Sequence, residues 1–299
     1  TITSEGPAFR VIIIEKQNPM EVMKTLAELT GKMSLPPLWA IGYQQSRYTY
    51  TPETRVKEIA DEFRNRKIPA DVIWMDIDYM SNYKVFTFNP TTFSNPKGLN
   101  DYLHNKNFKA VYMIDPGVKK EIGYTVYDSG AAGGHFVRSA TGQEFNGTVW
   151  PGNCAFPDFT RPATQSWWAE LYSNFMCLGI DGVWNDMNEP AVFGRGTFPD
   201  DVRHQYDGHR GSHRKAHNIY GMQMVRATYD GLKKLYKNKR PFTITRAAYA
   251  GTQRYSSVWT GDNLASWEHL KLGTLQLQRL STSGMSFCGT DIGGFTGEP

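Results

Sequence analysis

Cysteine is scarce in this sequence: Cys154, Cys177 and Cys288 are the only three, far apart and without a Cys-x-x-Cys pair. That argues against a disulfide framework and against a structural zinc site. No stretch approaches the ~18 consecutive apolar residues a spanning helix needs, so no membrane partner is expected. Neither sign of charge dominates. The 33 Lys and Arg against 29 Asp and Glu leave +4, spread along the chain with no basic arm, which points away from nucleic acid. A Gly-rich phosphate loop after the first strand-like run is also lacking, so a doubly wound nucleotide-binding sheet is disfavoured. The chain opens Thr-Ile-Thr-Ser, with neither initiator Met nor targeting segment, and the compartment cannot be read.

What is present is ordinary in amount and particular in arrangement. The 299 residues, 40% apolar and 21% charged, can form about two average domains or one large α/β barrel. Strand-like runs alternate with amphipathic helical segments. The expected strands are Phe9 to Glu15, Leu38 to Tyr43, Ala70 to Met75, Lys109 to Ile114, Gly182 to Trp184, Phe242 to Thr245, Val258 to Thr260 and Met285 to Cys288. Between them, Asn18 caps a helix with Pro19 at its first position and Gly31 as its stop. Pro52 opens another helix, and further ones are expected near Leu99 to His104, Pro162 to Cys177, Ile219 to Leu235 and Glu268 to Ser283. Such alternation builds a parallel sheet.

The residues just past these strands carry the chemistry. Asp76, Asp115, Asp186, Arg246, Asp262 and Asp291 each follow a strand-like run. In a (β/α)8 barrel those ends converge on one mouth, so the acids and the guanidinium would ring one pocket. A carboxylate ring with one Arg and several indoles suits either a divalent metal or a polyhydroxylated substrate cleaved between two carboxyls. His209, His213 and His217, at i, i+4 and i+8, invite a metal reading, but Gly208, Gly211 and the lack of hydrophobic periodicity predict a solvated loop from Arg203 to His217. Asp78, Asp115 and Asp181 are read as structural or loop-capping acids. Asn146-Gly147-Thr148 is read as a turn and not as a glycosylation site.

The stretch Trp184-Asn185-Asp186-Met187-Asn188-Glu189-Pro190 resembles the signature of family 31 glycoside hydrolases, the retaining α-glucosidases and their relatives. The likeness continues through Ile73 to Met80, Trp150-Pro151-Gly152, Phe156 to Phe159, Thr245-Arg246, Trp259 to Asn263 and Asp291 to Phe295, and covers the chain from about Leu35 onward. Bacterial α-glucosidases and plant heteroglycan glucosidases are the members it resembles most. The resemblance implies an α/β fold of the (β/α)8 TIM type and an exo-acting, retaining α-glucosidase that takes an α-glucoside or oligosaccharide. No metal and no organic cofactor is implied. Asp186 would be the nucleophile and Asp262 the general acid/base, kept protonated by burial and neighbouring negative charge. Asp76, Arg246 and Asp291 would hold sugar hydroxyls, and Trp74, Ile77, Ile114, Trp150, Trp184, Met187, Trp259 and Phe295 would line the pocket. Glu189, which matches the Asn-Glu-Pro acid of other barrel glycosidases, is assigned a place behind the site.

An α-xylosidase or an α-glucan lyase shares these residues, and a catalytically silent carbohydrate-binding fragment is the rival from another class. Residues 1–34 are expected to be the end of an N-terminal domain with a linker helix, and 35–299 the catalytic barrel. The family has a β-sandwich before this region, and an eighth strand and a subsite His after it. The 299-residue chain is therefore expected to be a barrel truncated before its eighth strand, prone to self-association through unclosed edges and weak in activity alone.

Overall fold

Seven parallel strands lie side by side in chain order in the computed structural model of the protein, which describes residues 9–208 and 210–298. They are β1 (Gln44–Gln45), β2 (Val72–Met75), β3 (Lys109–Ile114), β4 (Gly182–Asn185), β5 (Thr243–Thr245), β6 (Ser257–Trp259) and β7 (Cys288–Gly289). Helices α2 (Glu53–Asn65), α3 (Pro96–Asn105), α5 (Pro162–Met176), α6 (His213–Leu235) and α7 (Trp267–Thr282) carry the chain back between strands, with α1 (Pro19–Thr30) ahead of the sheet and α4 (Thr125–Ala132) beside a small three-stranded antiparallel sheet. A sheet of this order curls as a TIM barrel does. Among the described residues β1 and β7 each keep one unpaired edge.

Local chemistry sets the helix starts. Asn18 Oδ1 accepts from Glu21 N at 3.0 Å and Asn95 Oδ1 from Gly98 N at 2.9 Å, each with Pro at the next position, and Ser266 Oγ accepts from His269 N at 3.2 Å. The centre of the molecule lies around β2 to β4. Trp168, Tyr172 and Phe175 of α5 press Phe86 and the Tyr79–Tyr112 pair into one aromatic cluster, with Trp168 and Tyr172 wholly buried. Each such side chain contributes about 2 to 3 kcal/mol by leaving water.

Four sequence expectations need correction. Asn146-Gly147-Thr148 is not a turn: Asn146–Val149 is a strand, paired antiparallel with Gly152–Ala155. Leu38 to Tyr43 is not a strand: Leu38–Ile41 forms a single 3₁₀ turn after Pro36-Pro37, and pairing with β2 starts only at Gln44. Trp39 is drawn off sideways onto Phe242, at 5.0 Å between ring centroids. Phe9 to Glu15 forms no strand and pairs with no strand among the described residues, and Ile13 is 86% exposed. The Arg203 to His217 segment is not a solvated loop. Its last residues begin α6, and His204 and His213 are fully buried. They form a chain of side chains in which Asp158 Oδ1 meets His204 Nδ1, His204 Nε2 meets His213 Nδ1 and His213 Nε2 meets His217 Nδ1, each at 3.1 Å. Tertiary burial replaces the periodicity that the sequence lacks there. His209 lies outside the described residues.

Candidate active site

The strand ends assemble as the alternation requires. Asp76 leaves β2 and caps a one-turn 3₁₀ helix, its Oδ1 accepting from Ile77 N at 2.6 Å. Asp115 leaves β3 and Asp186 leaves β4, and both are buried. Met187, next to Asp186, holds φ at +55°, a left-handed conformation that costs a non-glycine residue about 1 to 3 kcal/mol and that the surrounding packing must sustain. Gly261, at φ +79°, turns the chain between β6 and Asp262.

Arg246, just past β5, ties these groups together. Its Nε and Nη2 hold the two Glu189 oxygens at 2.8 and 3.1 Å, a bidentate pair. Its Nη1 stands 3.1 Å from Asp186 Oδ1 and 3.7 Å from Asp262 Oδ2. The Asp186 and Asp262 carboxyls therefore flank one nitrogen, and their oxygens can be no farther apart than those two distances end to end. Glu189 is spoken for by the guanidinium.

A cavity of about 470 Å³ opens beside this cluster. Its walls include Trp74, Asp76, Trp184, Trp259, Asp262, Asp291 and Phe295 of the expected residues. Trp74, Trp184 and Trp259 follow one another edge to face, at 5.8 and 5.5 Å between centroids. The remaining expected residues lie elsewhere. Ile77 and Ile114 are buried in the hydrophobic core, at 1% and 0% exposure, and are not part of this cavity's wall. Met187 is buried against Arg246, its Sδ 3.1 Å from Nη2. Trp150 stands on the rim at 41% exposure, packed on Tyr48 and Phe193. Asp186 and Arg246 adjoin this wall at Asp262, through Arg246 Nη1.

Burial and crowding of like charges act on the acids. Asp76 is pushed up to about 7, first by burial and then by Asp186, Asp78 and Asp262, against the hydrogen bond from Ile77. Asp186 rises to about 6 through burial, with Arg246 opposing. Asp291 rises to about 6 through burial and the neighbouring Asp262. Asp262 departs from expectation: its side chain is 47% exposed, because the loop after β6 carries it out over the mouth. Its desolvation would have to come from whatever fills the cavity.

Sequence reasoning missed the Gly42 to Tyr48 segment, which forms the cavity wall opposite Asp291 to Phe295. Arg47 reaches Glu298 at 3.7 Å and Tyr48 meets Phe295 at 6.5 Å between rings, so the two ends of the sheet touch at the mouth. The aromatic density of Tyr43 to Tyr50 was the available signal. Asp181 is structural as expected, binding His104 at 2.7 Å and Lys109 at 3.1 Å. No group of three or more His, Cys, Asp or Glu among the described residues is placed to hold a metal ion, and no described helix is long and apolar enough to cross a membrane.

Residues 33–299 match the model of the glycosyl hydrolases family 31 TIM-barrel domain. The chain is 46% identical over 294 residues to Alpha-glucosidase 2 of Bacillus thermoamyloliquefaciens, covering 98% of this chain and 37% of that one. It is 40% identical over 317 residues to an Alpha-glucosidase of Saccharolobus solfataricus, covering 99% of this chain and 45% of the other. Among solved structures, the family 31 alpha-glucosidase from Bacteroides thetaiotaomicron superposes with a TM-score of 0.86 at 47% identity, over 97% of this chain and 47% of that one. The chain thus spans less than half the length of these relatives.

Proposed function

The chain belongs to glycosyl hydrolase family 31, and from that premise we propose that it is the catalytic barrel of a retaining, exo-acting α-glucosidase that releases glucose from non-reducing ends. The observation that carries the proposal is that Asp186 and Asp262 both stand close to Arg246 Nη1, at 3.1 and 3.7 Å. The limit this sets on their separation includes the ~5 to 5.5 Å of a nucleophile and acid/base pair. Asp186, ionised above about pH 6 and backed by a guanidinium, suits attack on the anomeric carbon. As that bond forms, the bond to the leaving oxygen breaks and Asp262 gives that oxygen its proton. Asp262 then takes a proton from water, whose oxygen displaces Asp186 and yields the α-anomer.

The walls support a sugar as substrate. Asp76 and Asp291 offer carboxyls to hydroxyl groups, and Trp184 Nε1, buried without a partner, is a donor that a hydroxyl would satisfy. The row of indoles at the cavity wall supports recognition of a chain end. Residues 35–299 are proposed as the barrel and 1–34 as the end of the preceding region. The open edges of β1 and β7 support self-association of the isolated chain.

Early-time NMR of sugar released from an α-glucoside tests the reading. The α-anomer should appear first. Initial β-anomer would mean direct attack by water, and an anhydro sugar would mean the lyase reaction.

A further inference from the structure

Asp115 is 3% exposed, and its Oδ1 is buried with no hydrogen-bond partner. Ile114 is the register partner of Asn185, so the next residues along, Asp115 and Asp186, leave adjacent strands side by side. Asp186 Oδ1 likewise lacks a hydrogen bond: Arg246 Nη1 is 3.1 Å away but not aligned to donate. Two acids at neighbouring strand ends thus each carry an unsatisfied oxygen.

The charges around Asp115 leave nothing to neutralise an anion there. Asp186, Asp76 and Glu189 oppose its ionisation, Asp186 most strongly of the three, and the cation that favours it is Arg246. That guanidinium is already held by Glu189 on two nitrogens and faces Asp186 and Asp262 with the third. Tyr79 and Cys154, the other titratable groups facing Asp115, are themselves kept protonated by burial. An unpaired carboxylate buried to this degree is far costlier than the neutral acid. A neutral carboxyl has one hydroxyl proton to give, and the acceptor beside it is Asp186.

We propose that Asp115 is a positioning residue for the nucleophile: held as the neutral acid, it donates its hydroxyl proton to the Asp186 carboxylate and fixes which oxygen faces the sugar. The role rests on the reading of Asp186 as nucleophile given above. A donor at this place also favours the ionised form of Asp186, offsetting part of what burial does to it. Asp115 itself touches no substrate and gives up no proton in the reaction.

Two variants and two readouts test this, with thermal melts confirming that both variants fold. Asp115→Asn keeps a donor that cannot ionise, and Asp115→Leu removes the donor. Infrared difference spectra at about pH 8.5, above the values of Asp76, Asp186 and Asp291, should show the carbonyl stretch of a protonated carboxyl in the wild type. The band should vanish in Asp115→Asn and persist in Asp76→Asn. With an aryl α-glucoside, Asp115→Asn should stay within about tenfold of wild-type kcat/KM, whereas Asp115→Leu should lose about 10- to 100-fold, the worth of one hydrogen bond to a charged group. In Asp115→Leu the acid limb of the pH profile should also move up by roughly one unit. A band that is missing in the wild type or survives in Asp115→Asn would overturn the neutral acid, and equal losses in the two variants would overturn the donor role. A wild type with the band but no turnover of any α-glucoside would overturn the reading of Asp186 and this role with it, leaving the buried neutral acid in place, so the two failures are distinct.

Discussion

The two walls of the mouth differ in water. On one side β2, β3 and β4 are four, six and four residues long and deliver Asp76, Asp115 and Asp186, all below 10% exposure. On the other, β5, β6 and β7 are three, three and two residues long and deliver Arg246, Asp262 and Asp291, with Asp262 half in solvent. The outer layer repeats the contrast. Helix α5, ahead of β4, buries six residues, while α7, between β6 and β7, buries only Gly273. Longer strands and deeper helix packing make the first wall rigid and dry, which suits a carboxylate whose orientation must be fixed. The second wall leaves its acid able to meet water, which the acid/base role proposed for Asp262 requires.

The largest effect expected is at the dry wall's chemistry. Asp186→Asn should lower kcat on an aryl α-glucoside by at least about 10⁴-fold with the fold intact, since an amide cannot attack the anomeric carbon. Asp262→Asn should lose much less on a substrate with an acidic aryl leaving group, which departs without a proton, and steady-state kinetics on a leaving-group series measure the split. Equal losses across the series would erase the distinction between the two acids. With Asp186, at about 6, as the proposed nucleophile, kcat/KM should fall as pH drops through that value.

Next is Trp168→Ala in the helix behind the dry wall. It removes a fully buried indole at a cost of about 3 to 5 kcal/mol, to be read from urea unfolding midpoints. A loss below about 1 kcal/mol would mean that α5 is not the support assigned to it.

A smaller effect is expected at Asp76, and it should depend on pH. Its folded value of about 7 exceeds the ordinary one, so between about pH 4 and 7 the native state keeps a proton that the unfolded chain has lost, and stability falls as pH rises through that window. Asp76→Asn removes this penalty. The variant should match the wild type at pH 4 and exceed it by on the order of 1 to 3 kcal/mol at pH 8. Thermal melts at the two pH values decide, and a gain independent of pH would place the cause elsewhere. Least of all, Leu272→Ser on α7, a residue 43% exposed, should change stability by no more than about 0.5 kcal/mol. Chemical denaturation measures it, and a larger loss would show that the wet wall's helix is better packed than its exposure indicates.

How much of this could be read beforehand depends on what each residue answers to. The ring of Asp76, Asp186, Arg246, Asp262 and Asp291 was legible, because position at a strand end follows from alternation alone. Asp115 has the same position and reads as a structural or loop-capping acid; its buried, unpartnered Oδ1 is what separates it from one. Ile77 and Ile114 are expected at the pocket and lie in the hydrophobic core, because a place at a strand end does not by itself say how deeply a side chain is packed. Leu38 to Tyr43 looks like a strand by composition, yet Trp39 finds its partner in Phe242, some two hundred residues away. His204, His213 and His217 are hidden for a related reason, since the chain they form ends on Asp158, from a distant segment.

The contacts of Arg47 with Glu298 and of Tyr48 with Phe295 have a kinetic consequence. Exposed as they are, they hold little free energy, yet they join points near opposite ends of the chain, and the cavity wall is complete only once they meet. Closing so long a loop is entropically costly and gains nothing until everything between has folded. The aromatic centre around β2 to β4 is made of nearer contacts and can form first. In refolding, ellipticity and tryptophan burial should therefore return before the capacity to bind a sugar, which makes the mouth the last part of the molecule to exist.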